Sequence, residues 1–132
     1  MTEIKIGGAS PQFIVRDVPA TLAFYRDMLG FEVTFEGPEP DDIFFGIVQR
    51  GQAMFMFKAI DIDPVPNHTH DIGHGIMRWD AYIYVPDPDA LFAEFEARNV
   101  DFVTRLGNNT DNLRGFEVRD RNGYILYFGR PN

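Results

Sequence analysis

The chain has 132 residues, enough for one domain or for two small halves sharing a core, and 45% of them are hydrophobic. Its net charge of −8 argues against nucleic acid and anionic membrane surfaces as partners, since both call for clustered Lys and Arg. Without a single cysteine, disulfides, thiolate metal sites and cysteine nucleophiles are excluded. No apolar run reaches the length of a bilayer span and no signal-like segment opens the chain, so the expected location is cytoplasmic.

Residues 11–16, PQFIVR, read as a strand. Asp17-Val18-Pro19 then carries two helix-start signals, a capping carboxylate and an early proline. From Ala20 to Leu29 the apolar Leu22, Tyr25, Met28 and Leu29 recur at helical spacing, and Gly30 is placed to end the helix. FEVTFE at 31–36 alternates apolar and polar as a half-buried strand does, and GPEPDD after it reads as a loop. Two more strands follow, Ile43 to Gln49 and Ala53 to Lys58, joined by a turn at Arg50-Gly51-Gln52.

Residues 59–78 change texture: they hold all three histidines and read as a linker. The order then restarts with a strand from Trp79 to Val85, a second capping pair at Asp87-Pro88 and a helix from Ala90 to Arg98. Val100 to Thr104 and Phe116 to Arg119 read as strands around a loop at 108–112. Arg121-Asn122-Gly123 reads as a hairpin turn of the Asn-Gly kind, leading into a last strand from Tyr124 to Gly129.

An internal repeat organises these elements. DVPATLAFYRDMLGFEV at 17–33 lies over DPDALFAEFEARNVDF at 87–102, and AMFMF at 53–57 lies over YILYF at 124–128. The expected architecture is one α+β domain over residues 1–132, made of two tandem βαβββ units at about 9–58 and 79–130.

DVPATLAFYRDMLGFEV, WDAYIYVPDPDALFAEF and the closing FEVRDRNGYILYFG resemble motifs of the glyoxalase / bleomycin resistance protein / extradiol dioxygenase superfamily, the vicinal oxygen chelate fold. The resemblance implies two curved mixed sheets around a concave cup, with helices outside. It implies a homodimer, with the ligand cleft of the bleomycin-resistance branch lying between subunits. It also implies where metal-dependent members hold their ion: on the first and last strand of each unit, at positions that fall here on Ser10, Met56, Asp80 and Tyr127, with Gln12 beside Ser10. Met and Tyr suit a hard divalent ion poorly, so no metal and no cofactor is expected.

With those positions taken as inward and side chains alternating along strands, Gln12, Ile14, Met54, Met56, Asp80, Tyr82, Tyr84, Ile125 and Tyr127 face the cup. Phe55, Phe57, Ala81, Ile83, Val85, Leu126 and Phe128 then pack under the helices. Gln12, Ile14, Met54, Met56, Asp80, Tyr82, Tyr84 and Tyr127 are the expected ligand-binding residues, a mixture of rings, thioethers and polar handles suited to an amphipathic molecule.

His68, His70 and His74, near Asp71, have spacing compatible with zinc, but on a linker they read as exposed loop histidines. Trp79, one residue before Asp80, is expected to point away from the cup. Arg114, Arg119 and the isolated Glu117 read as solvated charges. The function expected from the residues and the resemblance together is metal-free sequestration of a small amphipathic or cationic aromatic molecule. The alternatives are a metal-dependent lyase, isomerase or dioxygenase, and a fold acting only through protein contacts.

Overall fold

A computed structural model describes residues 2–70 and 78–132. The element order is β1 (Gln12–Ile14), α1 (Val18–Leu29), β2 (Glu32–Glu39), β3 (Asp42–Arg50), β4 (Ala53–Lys58), a short 3-10 turn (Asn67–Thr69), β5 (Ala81–Tyr84), α2 (Pro88–Ala97), β6 (Phe102–Asn108), β7 (Leu113–Arg119) and β8 (Ile125–Pro131). The strands form two four-stranded sheets, ordered β1-β4-β3-β2 and β5-β8-β7-β6. In each, the first strand pairs parallel with the last and the other pairings are antiparallel. This is the tandem βαβββ architecture expected from the repeat. No helix among the described residues is long and apolar enough to cross a membrane.

The helix ends follow from local chemistry. The Asp17 carboxylate accepts the Ala20 amide at 3.0 Å, and Asp87 does the same for Ala90 at 3.1 Å. Each cap is followed by a proline in the first turn, where no intrahelical N–H is needed. Gly30 closes α1 with φ 73°.

Three local expectations need correction. GPEPDD is not an open loop: β2 runs on to Glu39 and pairs with β3 from Asp42, leaving a two-residue connection at residues 40–41. Register shifts between Val33 and Phe35 and between Gly37 and Pro38 let the strand absorb the breakers. In the second unit β6 likewise extends to Asn108 and β7 starts at Leu113, further than their polar ends suggested. The last hairpin is not the double positive-φ turn of an Asn-Gly pair. Only Gly123 has positive φ there, and the Gly123 amide donates to the Asp120 carbonyl at 3.1 Å, so a type I turn is followed by a glycine bulge.

The helix-facing sides of both sheets share one core. Tyr25 and Leu22 of α1 pack with Phe55 and Phe57, and Phe95 of α2 packs with Phe116, Leu126 and Phe128, all buried. Ala81, Ile83 and Val85 pack against the same cluster, which is the side the alternation assigned them.

Two polar clasps tie the units together, one at each end of the seam between them. At one end the Tyr25 hydroxyl donates to the buried Asp120 carboxylate at 2.7 Å, and the Asn122 side-chain amide donates to the Thr21 hydroxyl at 3.1 Å. At the other, Arg50 of the β3–β4 turn makes a two-pronged ion pair with Glu94 of α2, at 2.7 and 2.9 Å.

Candidate functional site: an aromatic stack on the second sheet

The parallel pairings fix which residues share the open face of each sheet. Gln12 lies opposite Met56, and Ile14 opposite Lys58. Tyr82 lies opposite Tyr127, and Tyr84 opposite Gly129. The residue that faces Met56 is therefore Gln12 rather than Ser10, and the residue that faces Tyr127 is Tyr82 rather than Asp80. Met54 and Met56 are half-buried, and Gln12 and Tyr84 are exposed.

Asp80 is turned to another task. Its carboxylate accepts the Asn67 amide at 2.7 Å and the Ile125 amide at 2.8 Å, and so fixes the linker against the start of β8. Desolvation raises its pKa and these two amides oppose the rise. Both oxygens carry backbone hydrogen bonds, so Asp80 holds the chain in place and lies outside the ring cluster.

The strongest aromatic grouping on this side of the second sheet centres on Tyr127, which is itself buried beneath its neighbours. Its ring stacks on Tyr82 at 5.6 Å and an interplanar angle of 8°, and it lies 4.5 Å from Trp79. Trp79, expected to face away, thus belongs to this cluster. It precedes the first paired residue of β5, Ala81, so strand alternation does not govern it. Its indole N–H donates to Glu117 at 2.6 Å, and the Thr104 hydroxyl donates to the other Glu117 oxygen at 2.5 Å. Glu117 is therefore a fixed carboxylate beside an indole rather than a free surface charge.

Two glycines make room for this stack. Gly115 and Gly129 pair directly across β7 and β8. A methyl group on Gly129 would sit 2.6 Å from the Tyr127 ring and 2.4 Å from the Arg114 carbonyl. A methyl on Gly115 would sit 2.2 Å from the Phe128 carbonyl and 2.8 Å from the Tyr127 hydroxyl. The Tyr127 ring thus lies flat over a floor without side chains, which stands it parallel to Tyr82. A sequence signal for these residues existed: two glycines interrupt otherwise aromatic and apolar strands at paired positions.

Beside the stack is a cleft of about 270 Å³, lined among others by Trp79, Tyr127, Glu117, Asp111 and Asn108. Arg105, the cation on its rim, pairs with Glu96 and lies over the Phe92 and Phe102 rings at 5.0 and 5.5 Å. Its charge is already engaged, so the cleft presents aromatic faces with two carboxylates, an environment that favours a cationic or hydrogen-bond-donating aromatic molecule. Met54, Tyr82 and Tyr84 also line a groove of about 1000 Å³ between the units.

The positions that correspond to a metal centre do not fit one. The facing set Gln12, Met56, Tyr82 and Tyr127 offers one amide, one thioether and two phenols, with the Tyr127 ring held in the stack. Among the described residues no group of three His, Asp or Glu side chains converges to hold an ion. His68 places its Nε2 2.9 Å from the Gly123 carbonyl, His70 is exposed, and His74 and Asp71 lie outside the described residues. Arg114, expected to be solvated, makes a two-pronged pair with Asp89 at 2.8 and 2.7 Å, and Arg119 is exposed.

Residues 9–128 match the model of the Glyoxalase/Bleomycin resistance protein/Dioxygenase superfamily. No match is found among curated proteins. Among solved structures, the chain is 31% identical to a bleomycin-binding protein from bleomycin-producing Streptomyces verticillus, solved with copper(II)-bleomycin; the match covers 98% of this chain and 100% of that one, with a TM-score of 0.69. TioX from Micromonospora sp. ML1 is 20% identical over 96% of this chain and 100% of its own, with a TM-score of 0.72. A glyoxalase-related enzyme from Clostridium phytofermentans is 13% identical over 98% of both chains, with a TM-score of 0.74. The last two likenesses concern the fold alone.

Proposed function

Because the chain belongs to the glyoxalase / bleomycin resistance protein / dioxygenase superfamily, we propose that it is a binding protein of the bleomycin-resistance type, which sequesters a cationic or amphipathic aromatic molecule without using a metal. The observation that carries this reading is the Trp79–Tyr127–Tyr82 stack with Glu117 fixed at its edge. Flat rings give large contact area at little entropic cost, and a neighbouring carboxylate selects positive charge. The bleomycin-binding protein of S. verticillus supports the same reading, being similar over nearly the whole chain. The exposure of Phe35, Tyr82 and Tyr84 supports a second copy completing the cleft in a homodimer.

The single tryptophan makes this testable directly. Titrating the protein with bleomycin and a panel of planar aromatic cations is expected to quench Trp79 emission saturably. The Trp79→Leu variant, followed by equilibrium dialysis, is expected to bind about tenfold more weakly, as loss of one stacking and cation–π partner implies. No quenching across the panel would sink the proposal. Stoichiometric Ni, Zn, Fe or Mn in the purified protein, lost on Gln12→Ala, would favour the enzymatic alternative.

A further inference from the structure

The hairpin that joins β7 to β8 has reactive chemistry of its own. Asn122 is the only asparagine of the chain that is followed by glycine. Gly123 has no side chain to crowd the approach of its backbone nitrogen to Cγ, the carbonyl carbon of the Asn122 side chain. The fold holds both groups back. The Gly123 amide donates to the Asp120 carbonyl at 3.1 Å, and the Asn122 side-chain amide donates to the Thr21 hydroxyl at 3.1 Å. Thr21 is fully buried, and its hydroxyl donates in turn to the Asp17 carbonyl at 2.8 Å, which fixes it as an acceptor for Asn122. The Asn122 main-chain amide donates to the Asp120 carboxylate at 2.8 Å, and His68 Nε2 lies 2.9 Å from the Gly123 carbonyl. The turn is therefore pinned on one side to α1 of the first unit and on the other to the linker.

We infer that Asn122 is a self-modification site, and that the contacts pinning this turn set its rate. When the turn opens, the Gly123 nitrogen attacks Cγ of Asn122. A bond forms between them and the bond from Cγ to the side-chain nitrogen breaks. That nitrogen leaves as ammonia, taking with it the amide proton of Gly123. Water then adds to the cyclic imide and opens either of its carbonyl–nitrogen bonds, which leaves aspartate or isoaspartate at position 122. Neither product restores the clasp. Each lacks the N–H that Thr21 accepted, and each places a new carboxylate in a turn that already holds buried Asp120. Isoaspartate also adds a methylene to the main chain, which moves the Gly123 and Tyr124 amides off their Asp120 acceptors. The change is one-way. It loosens the tie between α1 and the last hairpin at the end of the seam where Tyr25 also meets Asp120.

The test incubates the protein over days at mildly alkaline pH, which favours loss of the Gly123 amide proton, and follows conversion at position 122 by mass spectrometry of the peptide released by cleavage after Glu117. Folded wild type is expected to convert at least about tenfold more slowly than the same chain in urea, because the turn must open first. Thr21→Val keeps the volume and removes the acceptor. It is expected to convert about three- to tenfold faster than wild type when folded, as loss of one neutral hydrogen bond implies, and at the wild-type rate in urea. Hydrogen exchange at the Gly123 amide of wild type is expected to be slowed by at least about tenfold relative to the unfolded chain, and this measurement decides if Thr21→Val lacks a native far-ultraviolet spectrum. Asn122→Asp, which is one of the two products, is expected to melt at a lower temperature than wild type. No conversion at position 122, equal rates in the folded and unfolded chain, a folded Thr21→Val that converts no faster than wild type, an unprotected Gly123 amide, or an Asn122→Asp variant as stable as wild type would each overturn the inference.

Discussion

Replacing Asp120 with alanine is expected to lower the stability of the fold by about 3 kcal/mol at neutral pH, measured by urea denaturation. The carboxylate is buried and accepts three hydrogen bonds: from the Tyr25 hydroxyl at 2.7 Å, the Asn122 amide at 2.8 Å and the Tyr124 amide at 3.0 Å. Alanine leaves all three donors without their acceptor and removes the bridge from α1 of the first unit to the last hairpin of the second. Asp120→Asn, which keeps one acceptor oxygen and the volume, is expected to cost much less.

The same residue gives the stability a pH dependence of definite sign. Burial pushes the Asp120 pKa up to about 6, against the three hydrogen bonds that favour its charged form, and the nearby Asp80 adds to the rise. The folded-state value lies above the unfolded one, so the folded state binds the extra proton between them. Asp120 therefore makes its least favourable contribution above pH 6, and stability is gained as pH falls through 6 toward 4, by up to about 3 kcal/mol. Wild type is expected to gain stability relative to Asp120→Asn between pH 7 and pH 4.5. A constant difference between the two proteins over that range would show that Asp120 does not titrate in this window.

Gly129→Ala is expected to disrupt the binding surface by a single added methyl. Its new Cβ would lie 2.4 Å from the Arg114 carbonyl and 2.6 Å from the Tyr127 ring, and neither backbone nor packed ring can yield that distance without local rearrangement. Overpacking of this kind costs about 1–3 kcal/mol. Because the Tyr127 ring must lift from its floor, the parallel contact with Tyr82 and the contact with Trp79 are broken together. The expected outcome is a lower melting temperature, a shift in Trp79 emission without ligand, and at least tenfold weaker binding of the aromatic cation. A variant with native emission and undiminished binding would show that the stack does not depend on the glycine pair.

The fold was legible because its signals were local and doubled. Asp17 and Asp87 each precede a proline and each caps a helix, and the alternation of Phe55, Phe57, Leu126 and Phe128 assigns them to the core that they enter. The site was harder to read. Trp79 and Asp80 stand just before the first paired residue of β5, where alternation does not yet apply, and their side chains went the opposite way from expectation. Glu117 looked isolated because its partners, Trp79 and Thr104, are distant in the chain and meet it only across the folded sheet. Alternation placed Tyr82 and Tyr127 on one face, and the parallel pairing of first and last strand sets them side by side, where Asp80 had been expected opposite Tyr127. The short loop at 40–41 was missed because Gly37 and Pro38, ordinarily breakers, are accommodated by register shifts inside β2.

Those register shifts have a further consequence. β2 and β6 form one free border of each sheet, and each is interrupted twice, at Val33/Phe35 and Gly37/Pro38 in the first and at Phe102/Thr104 and Thr104/Gly107 in the second. Pro38 also lacks an amide proton at its place on the border. The opposite borders, β1 and β5, are only three and four residues long. None of the four borders offers an incoming strand a long, regular ladder of free amides and carbonyls. Phe35, Phe44, Tyr82 and Tyr84 are exposed, but pairing by strand addition finds no long, regular border on either sheet from which to start.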